Sequence, residues 1–192
     1  MFITLEGIDG TGKSSAAKML AEKLGFAFNS TPPAEYLSIR TSATSNEYSA
    51  YHYYLSSCYY ISEIAGKMNL VCDRYIHSTL AYNWPYSRSG ADCRSILKAD
   101  CRSIPKDWHE YYENLKKPDF SFLLCASDSV RRERMLERKR KGGIISELDS
   151  DFEGQQRALN VYMKFSELIR IETDGMSLND VVALMIEKVK HA

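Results

Sequence analysis

The sequence predicts an α/β fold in which a parallel sheet of about five strands is flanked by helices on both faces. Short apolar segments alternate along the chain with longer segments of helical periodicity, which is typical of strands joined by crossover helices. The first apolar segment also leads through a glycine-rich turn directly into a helical pattern. The length suits a single domain, residues 1–192, with a core large enough to need no disulfides or structural metal.

Each predicted element is an apolar run of strand length or a segment with apolar residues at helical spacing. The predicted strands lie within residues 2–6, 25–30, 69–75, 119–127 and 167–175. The predicted helices are residues 13–24, most of 35–67, 129–143, roughly 147–165 and a closing amphipathic segment for which Ser177 is the expected N-cap.

Charge, hydropathy and cysteine content exclude several classes of protein. Basic and acidic residues balance at 25 each, which does not indicate the positive surface of a protein that binds nucleic acid polymers. The first residues enter a strand without a signal peptide, and no apolar stretch approaches about 18 residues, so we expect no membrane partner and a cytoplasmic location. The five cysteines are widely spaced, which argues against a disulfide framework or a zinc site.

The glycine-rich turn has the sequence GIDGTGKS and satisfies G-x-x-x-x-G-K-[ST] between a predicted strand and a predicted helix. Its glycines let backbone N–H groups point at phosphate oxygens, and the helix adds its positive N-terminal end. Lys13 can reach the β- and γ-phosphates, and the Ser14 hydroxyl is placed for Mg²⁺. We therefore predict a P-loop NTPase fold that binds a nucleoside triphosphate through Gly7, Asp9, Gly10, Thr11, Gly12, Lys13, Ser14 and Ser15.

A second candidate site follows the strand at residues 69–75. Asp73 and Arg74 stand at its carboxyl end, where open α/β sheets bind ligands. A carboxylate there can organise Mg²⁺ and its waters, and an arginine can bind the phosphate of a second substrate with two hydrogen bonds. The competing interpretation is a surface pair that caps the strand.

These motifs resemble those of a known family. FITLEGIDGTGKSS, DRYIHSTLAY and KPDFSFLL, followed by an arginine-rich helix, have the order and spacing of the thymidylate kinase family of nucleoside monophosphate kinases. Within it, STPP, Arg40, SEIA and DRYIHST are closest to the branch that contains the mitochondrial-type UMP/CMP kinase. The resemblance implies transfer of the ATP γ-phosphoryl group, with Mg²⁺, to a pyrimidine nucleoside 5′-monophosphate.

The resemblance also implies roles for individual residues. Asp9 would meet the acceptor sugar or the metal, Asp73 would hold metal and acceptor, and Arg74 would clamp the acceptor phosphate. The implied catalytic residues are Lys13, Asp9, Asp73, Arg74 and Arg140. The implied metal ligands are Ser14, Asp73 and Asp9. The implied substrate-binding residues are Asp9, Arg40, Tyr53, Ser57, Asp73, Arg74 and Tyr82.

Some members of the family carry an arginine inside the phosphate loop, whereas this loop is uncharged at Thr11. The segment RRERMLERKRKGG offers seven cations within residues 131–141, a repulsive arrangement that an anionic ligand would relieve. We therefore predict a helical lid over approximately residues 134–150 that closes over ATP. In the family pattern Arg138 lies against adenine, and Arg134 and Arg140 are candidates for the phosphates.

The choice of acceptor base stays open. Six tyrosines lie within residues 48–60, and Tyr53 falls where family members stack an aromatic ring on the pyrimidine, although packing of helix against sheet is an equally good interpretation. Ser57 replaces an arginine that thymidylate kinases place one helical turn later, and TPPAE lacks another that Arg40 could replace. Both departures argue against a strict preference for dTMP, and dUMP, UMP, CMP, dCMP and a modified pyrimidine are further candidate acceptors.

Two other functions are compatible with the phosphate loop. One is a kinase for a different phosphorylated or hydroxylated metabolite on the same frame, and the other is a nucleotide-dependent regulator. A GTPase switch would need an N-K-x-D motif, which the sequence lacks. Residues 83–108 have no assigned role. A ligand or a proton carrier is one interpretation of His77 and His109, but we favour surface or capping roles for both. Dimerisation is common in the family, and the tyrosine-rich helix is a candidate surface for a homodimer.

Overall fold

The computed structural model describes residues 1–83, 113–142 and 151–191. Five strands form its sheet: β1 Phe2–Glu6, β2 Ala27–Ser30, β3 Leu70–Asp73, β4 Phe120–Cys125 and β5 Ile169–Glu172. All strand pairs are parallel and the order is β2-β3-β1-β4-β5, which confirms the predicted fold class. Every residue of β1 is buried, as expected for a central strand covered on both faces.

The helices follow the predicted pattern, with local signals at several ends. Gly25 ends the first helix in the left-handed conformation, at a φ of 66°. The helix predicted over roughly 147–165 is observed from Phe152, and 143–150 of the predicted lid lie outside the described residues. The helices are α1 Lys13–Leu24, a 3₁₀ helix Ala34–Ile39, α2 Arg40–Ala43, α3 Glu47–Lys67, α4 Ile76–Asn83, α5 Asp128–Arg140, α6 Phe152–Tyr162 and α7 Leu178–Lys190. None of them, within the described ranges, is long and apolar enough to cross a membrane.

The sheet separates two hydrophobic clusters. On the α1 face, Leu5 and Phe122 of the sheet pack with Leu20 of α1 and Val182 of α7. On the α3 face, the sheet residues Phe2, Leu70 and Leu123 pack with residues of α3, α4 and α6, among them Leu55, Ile61, Ile76 and Tyr162. Side chains alternate between the faces along each strand, so both clusters are fixed by the same strands.

The carboxyl edge of the sheet brings two loops together. From β1 the chain passes to β2 on one side, and from β3 it continues to β4 on the other side of β1, which creates the crevice where such sheets bind ligands. Leu5 pairs with Asp73 in the register of β1 and β3, and the Arg74 N–H donates to the Leu5 carbonyl at 2.9 Å. The glycine-rich loop after β1 therefore lies beside Arg74.

The hydrogen bonds that cap the N-terminus of α7 should contribute to the stability of the fold. Ser177 accepts a hydrogen bond from the Asp180 N–H, and the Asp180 carboxylate accepts one from the Ser177 N–H. Ser177→Ala should lower the free energy of unfolding by about 1 kcal/mol because a helix cap is lost. Urea unfolding measures this, and Ser177→Thr, which keeps the hydroxyl, should match the wild type. Equal stability of Ser177→Ala and the wild type would contradict the capping role.

Candidate active site

The loop between β1 and α1, residues 7–12, has the geometry of an anion site. Gly7 has a φ of 133°, and a Cβ at this position would lie 2.5 Å from the Leu124 carbonyl oxygen, so a side chain does not fit. Gly12 is the N-cap of α1 with a φ of 91° and offers no side chain to the N–H groups of the first turn. These N–H groups are available to bind a ligand anion.

A cavity of about 740 Å³ opens beside this loop, a size that suits a small-molecule ligand. One end is polar and formed by the loop and the start of α1, whereas Met176, Leu178 and Val181 make an apolar wall near α7. The predicted nucleotide-binding residues that line it are Asp9, Gly10, Thr11, Gly12, Lys13, Ser14, Ser15, Arg134 and Arg138.

Lys13 lies beneath the loop and is only 5% exposed. Its Nζ donates to the Ile8 carbonyl at 2.7 Å and is 3.7 Å from Asp9 Oδ1. Burial, together with the positive charge of Arg74, lowers the pKa of Lys13 to about 8. The ammonium group is therefore held at the anion site, and nearby carboxylates offset only part of the unfavourable free energy of its buried charge.

Ser14 and Asp73 meet across the crevice. The Ser14 hydroxyl donates to Asp73 Oδ2 at 2.5 Å, while the buried Oδ1 of Asp73 accepts no hydrogen bond within the described ranges. The same ranges contain no group of three or more His, Cys, Asp or Glu side chains that could hold a metal ion. Mg²⁺ is usually held by one or two carboxylates together with substrate phosphates, so a hydroxyl and a partly unsatisfied carboxylate fit this ion.

Arg74 adopts a left-handed backbone conformation with a φ of 70°, and its side chain is 21% exposed. Nη2 donates to Asp9 Oδ1 at 2.6 Å, and Nη1 donates to the Gly7 carbonyl at 3.1 Å. Burial raises the pKa of Asp9, but the charges of Arg74 and Lys13 lower it, and the net effect is a pKa below the usual value. Asp9 is thus a carboxylate shared between two cations.

A buried polar network that was not predicted from the sequence contacts Arg74. Glu6, fully buried at the end of β1, accepts hydrogen bonds from the Tyr75 N–H at 3.0 Å and the Ser78 hydroxyl at 2.5 Å. The Ser78 oxygen lies 2.7 Å from the Tyr162 hydroxyl and 3.3 Å from Arg74 Nη1. A charged residue at the end of an otherwise apolar strand was the available signal. Through Ser78 and Tyr162, this network helps to hold the Arg74 guanidinium group in place.

His77 is fully buried, so its interpretation as a surface residue is wrong. Its Nε2 lies 3.1 Å from Glu167 Oε1, and its Nδ1 lies 3.6 Å from Glu6 Oε1. Burial lowers the pKa of His77, but hydrogen bonding to Glu167 and Glu6 raises it more, so the net pKa is raised. His109 lies outside the described residues.

The predicted lid arginines occupy different environments. Arg134 donates to the Thr173 hydroxyl and carbonyl, both at 2.9 Å, and to the Thr11 carbonyl at 3.3 Å. Arg138 is exposed and lines the cavity. Arg140 is exposed at the end of α5 and is not part of the cavity lining in the described ranges. Arg134 and Arg138 therefore come together with the loop, whereas Arg140 does not.

The predicted acceptor residues are also divided. Tyr82 lies beside Arg74, whose Cζ is 5.1 Å from the centroid of its ring. Tyr53 is 5% exposed and its hydroxyl donates to the Tyr36 carbonyl at 2.9 Å, while Ser57 is fully buried and donates to the Tyr53 carbonyl. Arg40 is exposed at the start of α2. The base-stacking role of Tyr53 stays a prediction, and 84–108 lie outside the described residues.

Comparison with known proteins shows the family to which the chain is related. The family model described as thymidylate kinase matches residues 5–191, nearly the whole chain. The chain belongs to the thymidylate kinase family. Membership in the thymidylate kinase family confirms the prediction of a nucleoside monophosphate kinase.

Individual members of the thymidylate kinase family support the same assignment. The chain is 27% identical to a probable thymidylate kinase of Pyrococcus horikoshii over 99% of its length and 96% of the relative. It is 30% identical to a probable thymidylate kinase of Thermoplasma volcanium, over 98% of its length and 99% of the relative. The structure of thymidylate kinase from Candida albicans superposes with a TM-score of 0.70 at 17% identity, over 99% of this chain and 91% of that one, which shows the shared fold.

The lowered pKa of Lys13 is open to direct measurement. In the nucleotide-free protein, the Lys13 ammonium group should lose its proton as the pH rises through about 8. An unfolded lysine keeps its proton to about pH 10.4, so the contribution of Lys13 to the free energy of unfolding should rise between these two values. ¹³C NMR of lysine Cε carbons measures the titration, and Lys13→Met assigns the resonance. Titration of all lysines near their ordinary pKa would contradict the arrangement around Lys13.

Proposed function

We propose that the protein transfers the γ-phosphoryl group of ATP to a pyrimidine nucleoside 5′-monophosphate, with dTMP as the first candidate acceptor. The observation that carries the proposal is the 2.6 Å ion pair between Asp9 and Arg74, which joins a phosphate loop to a second cation on the neighbouring strand end. Family membership and the relatives described as probable thymidylate kinases support a nucleoside monophosphate as acceptor.

The donor triphosphate is proposed to lie in the cavity beside the loop. The loop N–H groups and Lys13 bind its phosphates, because the loop residues from Asp9 to Gly12 and Lys13 line the cavity. The apolar wall at Met176 and Leu178 suits a purine ring, and Arg138 is the proposed contact to that ring from α5. Arg134 donates a hydrogen bond to the Thr11 carbonyl and so helps to hold the loop in place.

Ser14 and Asp73 are the proposed residues that hold Mg²⁺, with Asp9 as a third candidate. When bound, Mg²⁺ would supply a Lewis acid that neutralises charge on the phosphate oxygens. The supporting observation is the pair of oxygen donors 2.5 Å apart, with a second Asp73 oxygen buried and without a hydrogen bond in the described ranges. Proximity of Asp73 to Arg74 in the chain then links the metal site with the acceptor site.

The acceptor is proposed to bind with its phosphate on Arg74. An oxygen of the acceptor phosphate attacks the γ-phosphorus of ATP, the bond to the bridging oxygen of the β-phosphate breaks, and ADP leaves. Such a transfer needs little help from a general base, so positioning and charge neutralisation carry most of the catalysis. Arg74 and Lys13 supply two of the positive charges, and the catalytic role of the exposed Arg140 stays a prediction.

We further propose that the acceptor base is a pyrimidine not restricted to thymine. Ser57 is buried where the family pattern places one arginine, and the exposed Arg40 is the candidate replacement for a second arginine that TPPAE lacks. The likeness of STPP, SEIA and DRYIHST to the UMP/CMP kinase branch supports UMP and CMP as further acceptors. A kinase for another metabolite is the alternative, and an acceptor screen separates the two. A homodimer and a cytoplasmic location stay predictions.

Replacing Lys13 tests the donor site. Lys13→Ala should reduce ADP formation by at least about a hundredfold, because a charged contact to the transferring phosphoryl group is lost. The measurement is ADP release with ATP and each of dTMP, dUMP, UMP, CMP and dCMP. Wild-type protein that releases ADP with none of them would refute the proposed function, and near-normal turnover by Lys13→Ala would refute the role of Lys13.

Replacing Arg74 tests the acceptor site. Arg74→Ala should raise the KM for the monophosphate by roughly tenfold or more, since a hydrogen bond to a charged group is worth about 1.5–3 kcal/mol. The KM for ATP should change much less. Arg157→Ala removes an exposed arginine of α6 and serves as the matched control. Equal losses for both substrates would rule out a specific contact between Arg74 and the acceptor.

A further inference from the structure

Arg131, near the start of α5, is 1% exposed although it carries a positive charge. It is the largest of the fully buried side chains in the part of the chain that the structure describes. A buried cation is unfavourable unless it is paired and hydrogen-bonded, and an apolar side chain could fill the same space without that cost. The contacts of the guanidinium group should therefore explain its presence.

The guanidinium group joins three parts of the fold. Nε donates to the Asp9 carbonyl oxygen at 2.7 Å, and Nη1 donates to Asp128 Oδ1 at 2.6 Å. Nη2 donates to Gln155 Oε1, and Gln155 is itself 1% exposed. The planar fork of an arginine suits such a set of fixed acceptors, whereas an ammonium group could not reach all three with the same geometry. Arg131 thus ties α5 and α6 to the phosphate loop.

The loop has little freedom to move against this residue. A Cβ at Gly10 would lie 3.0 Å from both the Cβ and the carbonyl oxygen of Arg131, so the loop backbone packs directly on α5. The Asp9 carbonyl points to Arg131, and the Asp9 carboxylate binds Arg74 at 2.6 Å. Asp9 is therefore held at its backbone by one arginine and at its side chain by another.

We propose that Arg131 is a positioning residue for phosphoryl transfer, which fixes the Asp9 peptide so that the Asp9 carboxylate holds Arg74 in place for the acceptor. This inference rests on the proposed function. Arg131 acts through Asp9, whereas Arg74 and Lys13 act on the substrates. Without Arg131, the Asp9 peptide is less firmly positioned, and with it Arg74, which is held by the Asp9 carboxylate. A small misplacement of reacting groups is enough to slow phosphoryl transfer.

The first test is steady-state ADP release by the full chain carrying Arg131→Met, with each substrate varied in turn. The KM for the monophosphate should rise about tenfold and the KM for ATP by less than about threefold, because the loop N–H groups and Lys13 remain. Arg157→Met, which removes an exposed arginine of α6, should match the wild type. Asp128→Ala removes one partner of Arg131 but leaves the Asp9 contact, so it should lower the urea midpoint without changing either KM.

A double-mutant cycle separates positioning from general stability. If Arg131 acts through Asp9, the variant that combines Arg131→Met with Asp9→Asn should be no less active than Asp9→Asn alone. If the fold-losses of the two single variants in kcat/KM for the monophosphate instead multiply in the double variant, the proposal is overturned. Arg131→Lys keeps the charge but not the fork, and it completes the same cycle if Arg131→Met does not fold. Arg131→Lys should lower kcat/KM for the monophosphate less than Arg131→Met does, and this loss should likewise be absent in the Asp9→Asn background.

These outcomes are distinct from failure of the proposed function. Wild-type protein that phosphorylates a monophosphate while both Arg131 variants keep the wild-type KM for it overturns the positioning role alone. Wild-type protein that phosphorylates none of the five pyrimidine monophosphates overturns the proposed function itself. A selective rise in the KM for the monophosphate, cancelled in the Asp9→Asn background, supports both.

Discussion

The Asp9 carboxylate is the group on which the candidate site depends. It accepts a hydrogen bond from Arg74 at 2.6 Å and lies 3.7 Å from the Lys13 ammonium group. The charge of Arg74 already contributes to the lowered pKa of Lys13, so the two cations repel each other across the crevice. A carboxylate between them offsets part of this repulsion, which lets the two anion sites stay close before any nucleotide binds.

Much of this site could be predicted from the sequence because its signals are local. The loop residues, Lys13 and Ser14 lie within one motif, whose spacing is set by the path of the backbone around a phosphate. Asp73 and Arg74 follow a short apolar run, and the end of a parallel strand is where ligands bind. The cap at Ser177 depends on residues three positions apart and was found for the same reason.

The remainder depends on contacts between distant parts of the chain. Arg131 is 122 positions from Asp9, and the fully buried His77 is 90 positions from Glu167. Composition shows that the arginine-rich segment is positive, but it does not show which cation turns inward. The one local signal is that Arg131 lies one helical turn before Met135, which is also buried. For Tyr53, an aromatic ring suits packing and base contact equally, and only the surrounding fold places its hydroxyl on Tyr36.

The division of the molecule by its sheet bears on how specificity can evolve. Two elements that carry donor residues, α1 and the start of α7, pack on one face, whereas α3 and α4, which carry the candidate residues for the acceptor base, pack on the other. Substitutions in α3 and α4 can therefore change the accepted base during evolution while the phosphate loop and α1 stay unchanged. The same separation allows an engineer to confine a mutational library to one layer of the domain.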